Sequence, residues 1–272
     1  MSKTKMKLQL SNGYYLRFNH LSILLKCLVK YIDSLRFTQK SLSAELGMSP
    51  RMIENLNSYG VALGLITPTS YKPTELGILV SRKDIFFDSI DTLWFLHYVI
   101  ASNNKYVVWN RLVNKVFNDE NIVSTEIARS YFKDLFQYYS EKTINKHLAK
   151  EINAFFNAYT EQNFSKLNYL NKISSSTYKI NTDLDIPNLS FLASCYLYRD
   201  RFMKGSTGIE IESLIKNENS PGRIFNLSEH YIRLLLERLN IKRLIALESR
   251  ANLDQVRFEY NKTWLDIVRL FY

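Results

Sequence analysis

Arg51, Glu54 and Asn55 stand within five positions of one another, and each carries a side chain with a matching nucleobase edge. Arginine forks onto the two acceptors of guanine, asparagine pairs bidentately with adenine, and glutamate accepts from the amino group of cytosine. Ser49 and Ser58 add hydroxyls to the same set. Positions 51, 54, 55 and 58 follow the three-and-four spacing of one helical face, so a helix across this stretch would present all of them outward. Lys40, Lys72, Arg82 and Lys83 supply the positive charge that holds phosphates and fixes register without specifying sequence.

A second constellation lies in Asp84 to Tyr98, DIFFDSIDTLWFLHY, where three aspartates, a histidine and a tryptophan invite a metal or catalytic reading. The spacing argues for structure instead. Asp88 or Ser89 suits a helix N-cap, Asp91 falls in the first turn where negative charge favours the helix dipole, and His97 points to a different face from Asp91. No Asp or Glu is followed two residues later by Lys, the pairing that metal-dependent nucleases commonly use, and no glycine-rich turn with Lys and Ser or Thr is present to cradle phosphates. His20, His147 and His230 have no ligand partner at a useful spacing. The expectation is a protein with no catalytic residue, no metal and no cofactor.

The element that must position Arg51 and its neighbours is a helix-turn-helix over Gln39 to Leu56, QKSLSAELGMSPRMIENL. Leu42, Leu46, Met48, Ile53 and Leu56 sit where two crossing short helices need apolar groups, Gly47 can take the left-handed conformation of the turn, and Ser49 with Pro50 starts the second helix. Ser43 is small enough for close approach. Thr67 to Arg82 then alternates apolar and polar residues around Pro68, Pro73 and Gly77, which predicts a wing hairpin lying along phosphates beside the second helix. A winged helix used for protein contacts is the alternative.

Charge favours nucleic acid. The chain of 272 residues carries a net +10, and residues 1–60 hold nine basic against three acidic groups, the excess that phosphate attraction and counterion release use. Cys27 and Cys195 each fall in an apolar helical pattern, as free thiols of a reducing compartment do, and no stretch is apolar and long enough to span a bilayer. A cytoplasmic bacterial-type protein is expected.

The fold class read from the pattern is mainly α, in three domains: a winged helix-turn-helix over 1–83, a helical bundle over 84–180, and a second winged-helix-like domain over 188–272. Helices are predicted at 86–101, 107–117, 125–139, 144–159 and 164–173, with Ser174 to Ser176 and Asn181 to Asn188 as the connection. The aromatic residues of the middle, among them Phe132, Phe136, Tyr138, Phe155, Phe156 and Tyr159, recur at helical spacing as core; stacking platforms for single-stranded nucleic acid are the competing reading. In the last part, helices and then short alternating runs at 243–248 and 255–260 give winged-helix order again, before an amphipathic helix over 264–272. Ten basic and nine acidic groups over 207–272 give that domain little electrostatic claim on DNA; a partner-binding or dimerising role is read for it, with DNA contact as an equal alternative.

Three ordered segments, LGMSPRMIENLNSYGVALGLI, YKPTELGILV and DIFFDSIDTLWFLHYVIASN, resemble the bacterial family of domain of unknown function 4007. The matching positions are Leu46 and Gly47, Met52 and Ile53, Thr74, Leu76 and Gly77, then Asp91, Thr92, Leu93, Trp94, Leu96, His97 and Tyr98. Pro50 and Arg51 stand where the family usually has Lys and Asn. The resemblance implies a setting among DNA-modification and phage-defence genes, often near enzymes that install phosphorothioate in the DNA backbone; it assigns no reaction. The combined expectation is a double-stranded DNA-binding regulator or DNA-recruiting subunit of such a system, with DNA-modification or defence proteins as further partners, room for a homodimer and no membrane. An adaptor that scaffolds a modification enzyme, with little DNA affinity of its own, is the alternative.

Overall fold

The computed structural model describes residues 6–10, 12–33, 36–250, 253–259 and 261–272. Lys3 and Lys5 of the basic N-terminal stretch, Ala251 and Asn252 of the expected hairpin loop, and Tyr260 lie outside them. Leu21, Leu24, Leu25 and Leu28, spaced at three and four residues, form the buried stripe of α1 (Phe18–Lys30). Thr38 opens α2 (Gln39–Leu46) with a capping box: its hydroxyl accepts from the Ser41 amide at 3.1 Å and the Ser41 hydroxyl accepts from the Thr38 amide at 2.9 Å. Gly47, at φ 62°, ends α2 in the left-handed conformation, which costs little without a Cβ. Ser49 then accepts from the Met52 amide at 3.3 Å, and Pro50 begins α3 (Pro50–Ala62). Leu42, Ile53 and Leu56 are buried between the two helices, and the Ser43 hydroxyl donates to the Met48 carbonyl across the turn.

The wing predicted over Thr67 to Arg82 does not form as a hairpin. One antiparallel bridge joins Ile66 to Pro73, and the rest of the segment is a helix, α4 (Glu75–Lys83). Thr74 decides this: its hydroxyl accepts from the Gly77 amide at 3.0 Å and donates to the Gly64 carbonyl at 2.6 Å, so the chain is capped into a helix where a strand would begin. Leu76 and Val80, four apart, make the buried face. Gly77 is required by close approach, because a Cβ there would sit 2.1 Å from the Leu65 carbonyl oxygen.

The middle is likewise more than a helical bundle. After α5 (Ile90–Ala101) and α6 (Val107–Arg111), a π-helical turn (Leu112–Val116) leads into α7 (Phe117–Asp119). Next come β1 (Ile122–Ser124), α8 (Thr125–Ser130), a 3-10 turn (Lys133–Gln137) and α9 (Glu141–Thr160). Where a helix was expected over 164–173, a 3-10 turn (Asn163–Leu167) is followed by β2 (Leu170–Lys172), and β3 (Thr177–Ile180) returns antiparallel to it. The three serines are therefore a hairpin loop and not an interdomain connection. The sheet order is β1-β3-β2, and Phe156 stacks on Tyr178 with ring centroids 3.9 Å apart. Phe132, Phe155, Phe156 and Tyr159 are core residues as expected; Phe136 and Tyr138 are exposed.

The C-terminal part contains the expected helices and hairpin with shifted ends, and adds an unexpected strand at 208–210 and a short helix at 221–224. It comprises α10 (Asn188–Phe202), β4 (Gly208–Glu210), α11 (Ile211–Lys216), α12 (Pro221–Ile224) and α13 (Glu229–Ile241). A hairpin of β5 (Ala246–Arg250) and β6 (Leu253–Arg257) follows, then α14 (Trp264–Val268). The sheet order is β4-β6-β5, with Ile209 opposite Val256 and Ala246 opposite Arg257. One apolar cluster runs through all three parts, and an amide network ties the last to the middle. Asn219, at φ 66°, accepts at Oδ1 from Asn110 (2.7 Å) and Asn114 (3.2 Å), donates from Nδ2 to Asn104 (2.9 Å), and receives the Tyr98 hydroxyl on its carbonyl (2.9 Å).

Candidate nucleic-acid interface

α2 and α3 meet at their N-terminal ends, where the Gln39 side-chain amide donates to the Pro50 carbonyl at 2.8 Å. This brings Lys40, exposed on α2, beside the first turn of α3. On α3, Arg51 and Glu54 are exposed, Ser58 is half-buried, and Ser49 is exposed with its hydroxyl engaged as the cap. In the loop 67–73 the Tyr71 phenol is pushed up chiefly by burial and further by the Glu54 carboxylate of α3, and Lys72, the next residue, is exposed. Arg82 and Lys83 end α4, which packs chiefly on α1, so the structure does not gather them beside Arg51 as it does Lys40.

Asn55 is corrected. It is only 2% exposed: its Nδ2 donates to the Arg51 carbonyl at 2.7 Å and its Oδ1 accepts from Asn12 Nδ2 at 3.1 Å. The expected outward face of α3 is covered here by residues 12–17, held down by the Tyr59 hydroxyl, which donates to the Tyr14 carbonyl at 2.9 Å. An amide that is buried and paired at both ends has no free donor–acceptor edge for adenine. In its place the covering segment brings Tyr14 and Tyr15, both exposed, and the Arg51 guanidinium lies 5.6 Å from the Tyr14 ring centroid. Sequence reasoning missed these tyrosines; the Asn12-Gly13 pair ahead of them, both at positive φ, was the signal that a turn delivers them.

Ion pairing divides the molecule. Among the described residues, no Lys or Arg side chain between Met6 and Lys105 is in an ion pair. The C-terminal part differs: Lys216 pairs with Glu212, Arg233 with Glu229 and Asp254, Arg257 with Glu248, and Arg269 with Asp266. Lys7 is held below the ordinary lysine range, first by burial and then by repulsion from Lys105, with Glu151 and Glu54 acting in the opposite direction.

The segment Asp84 to Tyr98 builds core. Ser89 accepts from the Thr92 amide at 3.4 Å as the cap of α5, and Asp91 Oδ1 accepts from the Ser190 hydroxyl at 2.7 Å; burial raises that carboxyl more than the Ser190 bonds lower it. His97 is wholly buried: its Nδ1 accepts from the Tyr159 hydroxyl and its Nε2–H donates to the Ile224 carbonyl at 3.2 Å. Burial lowers its pKa to about 4, so the ring is neutral. Among the described residues, no group of three or more His, Cys, Asp or Glu side chains is arranged to hold a metal ion, and no helix is long and apolar enough to cross a membrane.

The described residues define a mainly helical protein with a capped helix–turn–helix near its N-terminus, cations there that are in no ion pair, and two small three-stranded sheets. The chain belongs to the family described as "Protein of unknown function (DUF4007)", whose model it matches over residues 14–272. Its fold is similar to that of a magnesium ion-bound SspB crystal structure, at 15% identity and a TM-score of 0.76, with 96% of this chain and 86% of that one covered. A second SspB crystal structure gives a TM-score of 0.75 at the same identity and coverage. Comparison with curated proteins gives no match.

Proposed function

We propose that this protein is a cytoplasmic, double-stranded DNA-binding component of a bacterial DNA-modification or phage-defence system, acting as regulator or DNA-recruiting subunit without catalysing a reaction. The observation that carries this reading is the set of unpaired cations around α2 and α3. Among the described residues Lys40, Arg51 and Lys72 are in no ion pair, and such groups meet nucleic acid without first breaking an internal pair. Arg51 and Glu54 are then the residues that face base edges, with Ser49 and Ser58 beside them and the bridge at Ile66 and Pro73 as a minimal wing. The setting rests on family membership and on the likeness to the SspB fold.

The C-terminal part has the order helix, strand, helices, hairpin, with its first strand paired to its last, and we read it as a winged helix turned to a protein partner. Its paired cations favour that role over phosphate contact.

Fluorescence anisotropy on duplex DNA across a salt series, plain and phosphorothioated, tests the reading. Wild-type affinity is expected to fall linearly with log salt, a Lys40→Ala/Lys72→Ala variant to lose affinity and flatten the slope by about two, and Arg51→Ala to relax base preference. Binding indifferent to these substitutions refutes the interface. Magnesium-dependent nicking of supercoiled plasmid, abolished by one carboxylate substitution, would replace this reading with an enzymatic one.

A further inference from the structure

Residues 12–17 do more than cover α3. Asn12 (φ 48°) and Gly13 (φ 84°) make a tight left-handed turn, Leu16 is buried as an anchor, and the segment is fastened to α3 by the Asn12–Asn55 and Tyr59–Tyr14 hydrogen bonds. Between segment and helix is a cavity of 220 Å³, walled by Tyr14, Tyr15 and Tyr59 with Met52 and Leu56, and with the Asn55 amide at its inner end. Its rim is cationic and polar: Arg17 and His20 border it, and Arg51 stands over the Tyr14 ring.

We propose that this cavity is a binding site for one unstacked nucleobase, presented by a single strand or swung out of a duplex. Three features select that occupant. Aromatic walls accept any base by its π-face, at about 1–3 kcal/mol per stacked base, or roughly 5- to 150-fold in affinity. Arg17 and Arg51 at the mouth are placed for the phosphates on either side of such a base, whereas an apolar side chain of a protein partner has no use for two guanidinium groups there. Tyr14 and Tyr15 remain 37% and 46% exposed because no part of the described chain fills the site.

The proposal rests on nucleic acid being the ligand, as in the reading above, but not on duplex recognition by α3, and the two are separable. The full chain is titrated into single-stranded oligonucleotides carrying one 2-aminopurine, and into duplexes with that base opposite an abasic site; a fully paired duplex is measured in parallel. A change in 2-aminopurine fluorescence, competed by adenosine monophosphate, is expected. Tyr15→Ala and Tyr14→Ala are each expected to weaken single-strand binding about tenfold relative to the paired duplex, with Tyr15→Phe restoring it. Tyr15 is 46% exposed and lies outside the buried core, so its alanine variant, with circular dichroism as the check on folding, serves if Tyr14→Ala does not. An unchanged 2-aminopurine signal, or alanine variants that bind single strands as wild type does, overturns the pocket. Competition by indole but not by adenosine monophosphate overturns it in favour of a protein side chain. A responsive base with no affinity for paired duplex leaves the pocket standing and removes the duplex reading; tight duplex binding with a silent base does the reverse.

Discussion

Acidification should loosen this fold through His97. The ring is wholly buried between Tyr159 and Ile224, with the Trp94, Tyr169 and Phe225 rings packed at 5.6, 4.9 and 5.8 Å, and its pKa is lowered from 6.5 to about 4 by loss of hydration. The unfolded chain therefore takes up this proton before the folded one, so stability is full above about pH 6.5 and falls as pH drops towards 4. A shift of about 2.5 units corresponds to about 3 kcal/mol once both states are protonated, of which about 2 kcal/mol is lost by pH 5. The assay is urea unfolding followed by tryptophan fluorescence at pH 7.5 and 5.0, in wild type and in His97→Gln. Glutamine can donate to the Ile224 carbonyl and accept from Tyr159 but does not titrate. Other groups titrate across this range in both proteins, so the measured quantity is the difference of differences: the variant is expected to lose about 2 kcal/mol less than wild type on acidification. An equal loss in both proteins would refute the neutral, buried histidine.

Three further outcomes follow from packing. Gly77→Ala is expected to destabilise by about 2 kcal/mol and lower Tm by roughly 5 °C, because the clash with the Leu65 carbonyl outweighs the gain of about 1 kcal/mol in helix propensity; a Tm at or above wild type in calorimetry contradicts the close α4 approach. Asn219→Ala, which removes one hydrogen bond from each of Asn104, Asn110 and Asn114 and puts at positive φ a residue that tolerates it less well than asparagine, is expected to cost about 2 kcal/mol in chemical denaturation, and Asn219→Gly less. Asn55→Ala is expected to cost about 1 kcal/mol of stability while leaving base preference in a DNA selection unchanged, whereas a lost adenine preference would restore Asn55 as a reader.

What was legible in the sequence was local. Gly47, Ser49 and Pro50 act within a few residues, and their turn and caps form as the residue types require; so does the Ser89 cap of α5. What was not legible depended on distant neighbours. Leu76, Ile78 and Val80 alternate as a strand does, and only the Thr74 hydroxyl reaching Gly64 turns the segment into α4. Leu170 to Ile180 lacks strand periodicity because β2 is three residues long, and the edge it needs, β1, lies some fifty residues upstream. Asn55 was misread because the α3 pattern fixes which residues share a face but not whether another segment comes to lie on it.

The same device is used twice with sheets and once almost without. Strand, helix, helix and hairpin, with the first strand beside the third, occur at 122–180 and again at 208–257; at 39–73 the helix pair keeps its turn while the sheet shrinks to a single bridge. The copies with sheets are built into the core, through Phe156 on Tyr178 and the Asn219 amides, and in the last of them Lys216, Arg233 and Arg257 are paired with acidic neighbours. The first copy keeps its cations unpaired and lends its second helix to the 12–17 segment. Topology alone would give all three an equal claim on nucleic acid. The tyrosine-walled cavity separates them, because it lies against the second helix of the first copy, while the basic excess of residues 1–60 is carried by the stretch before that copy.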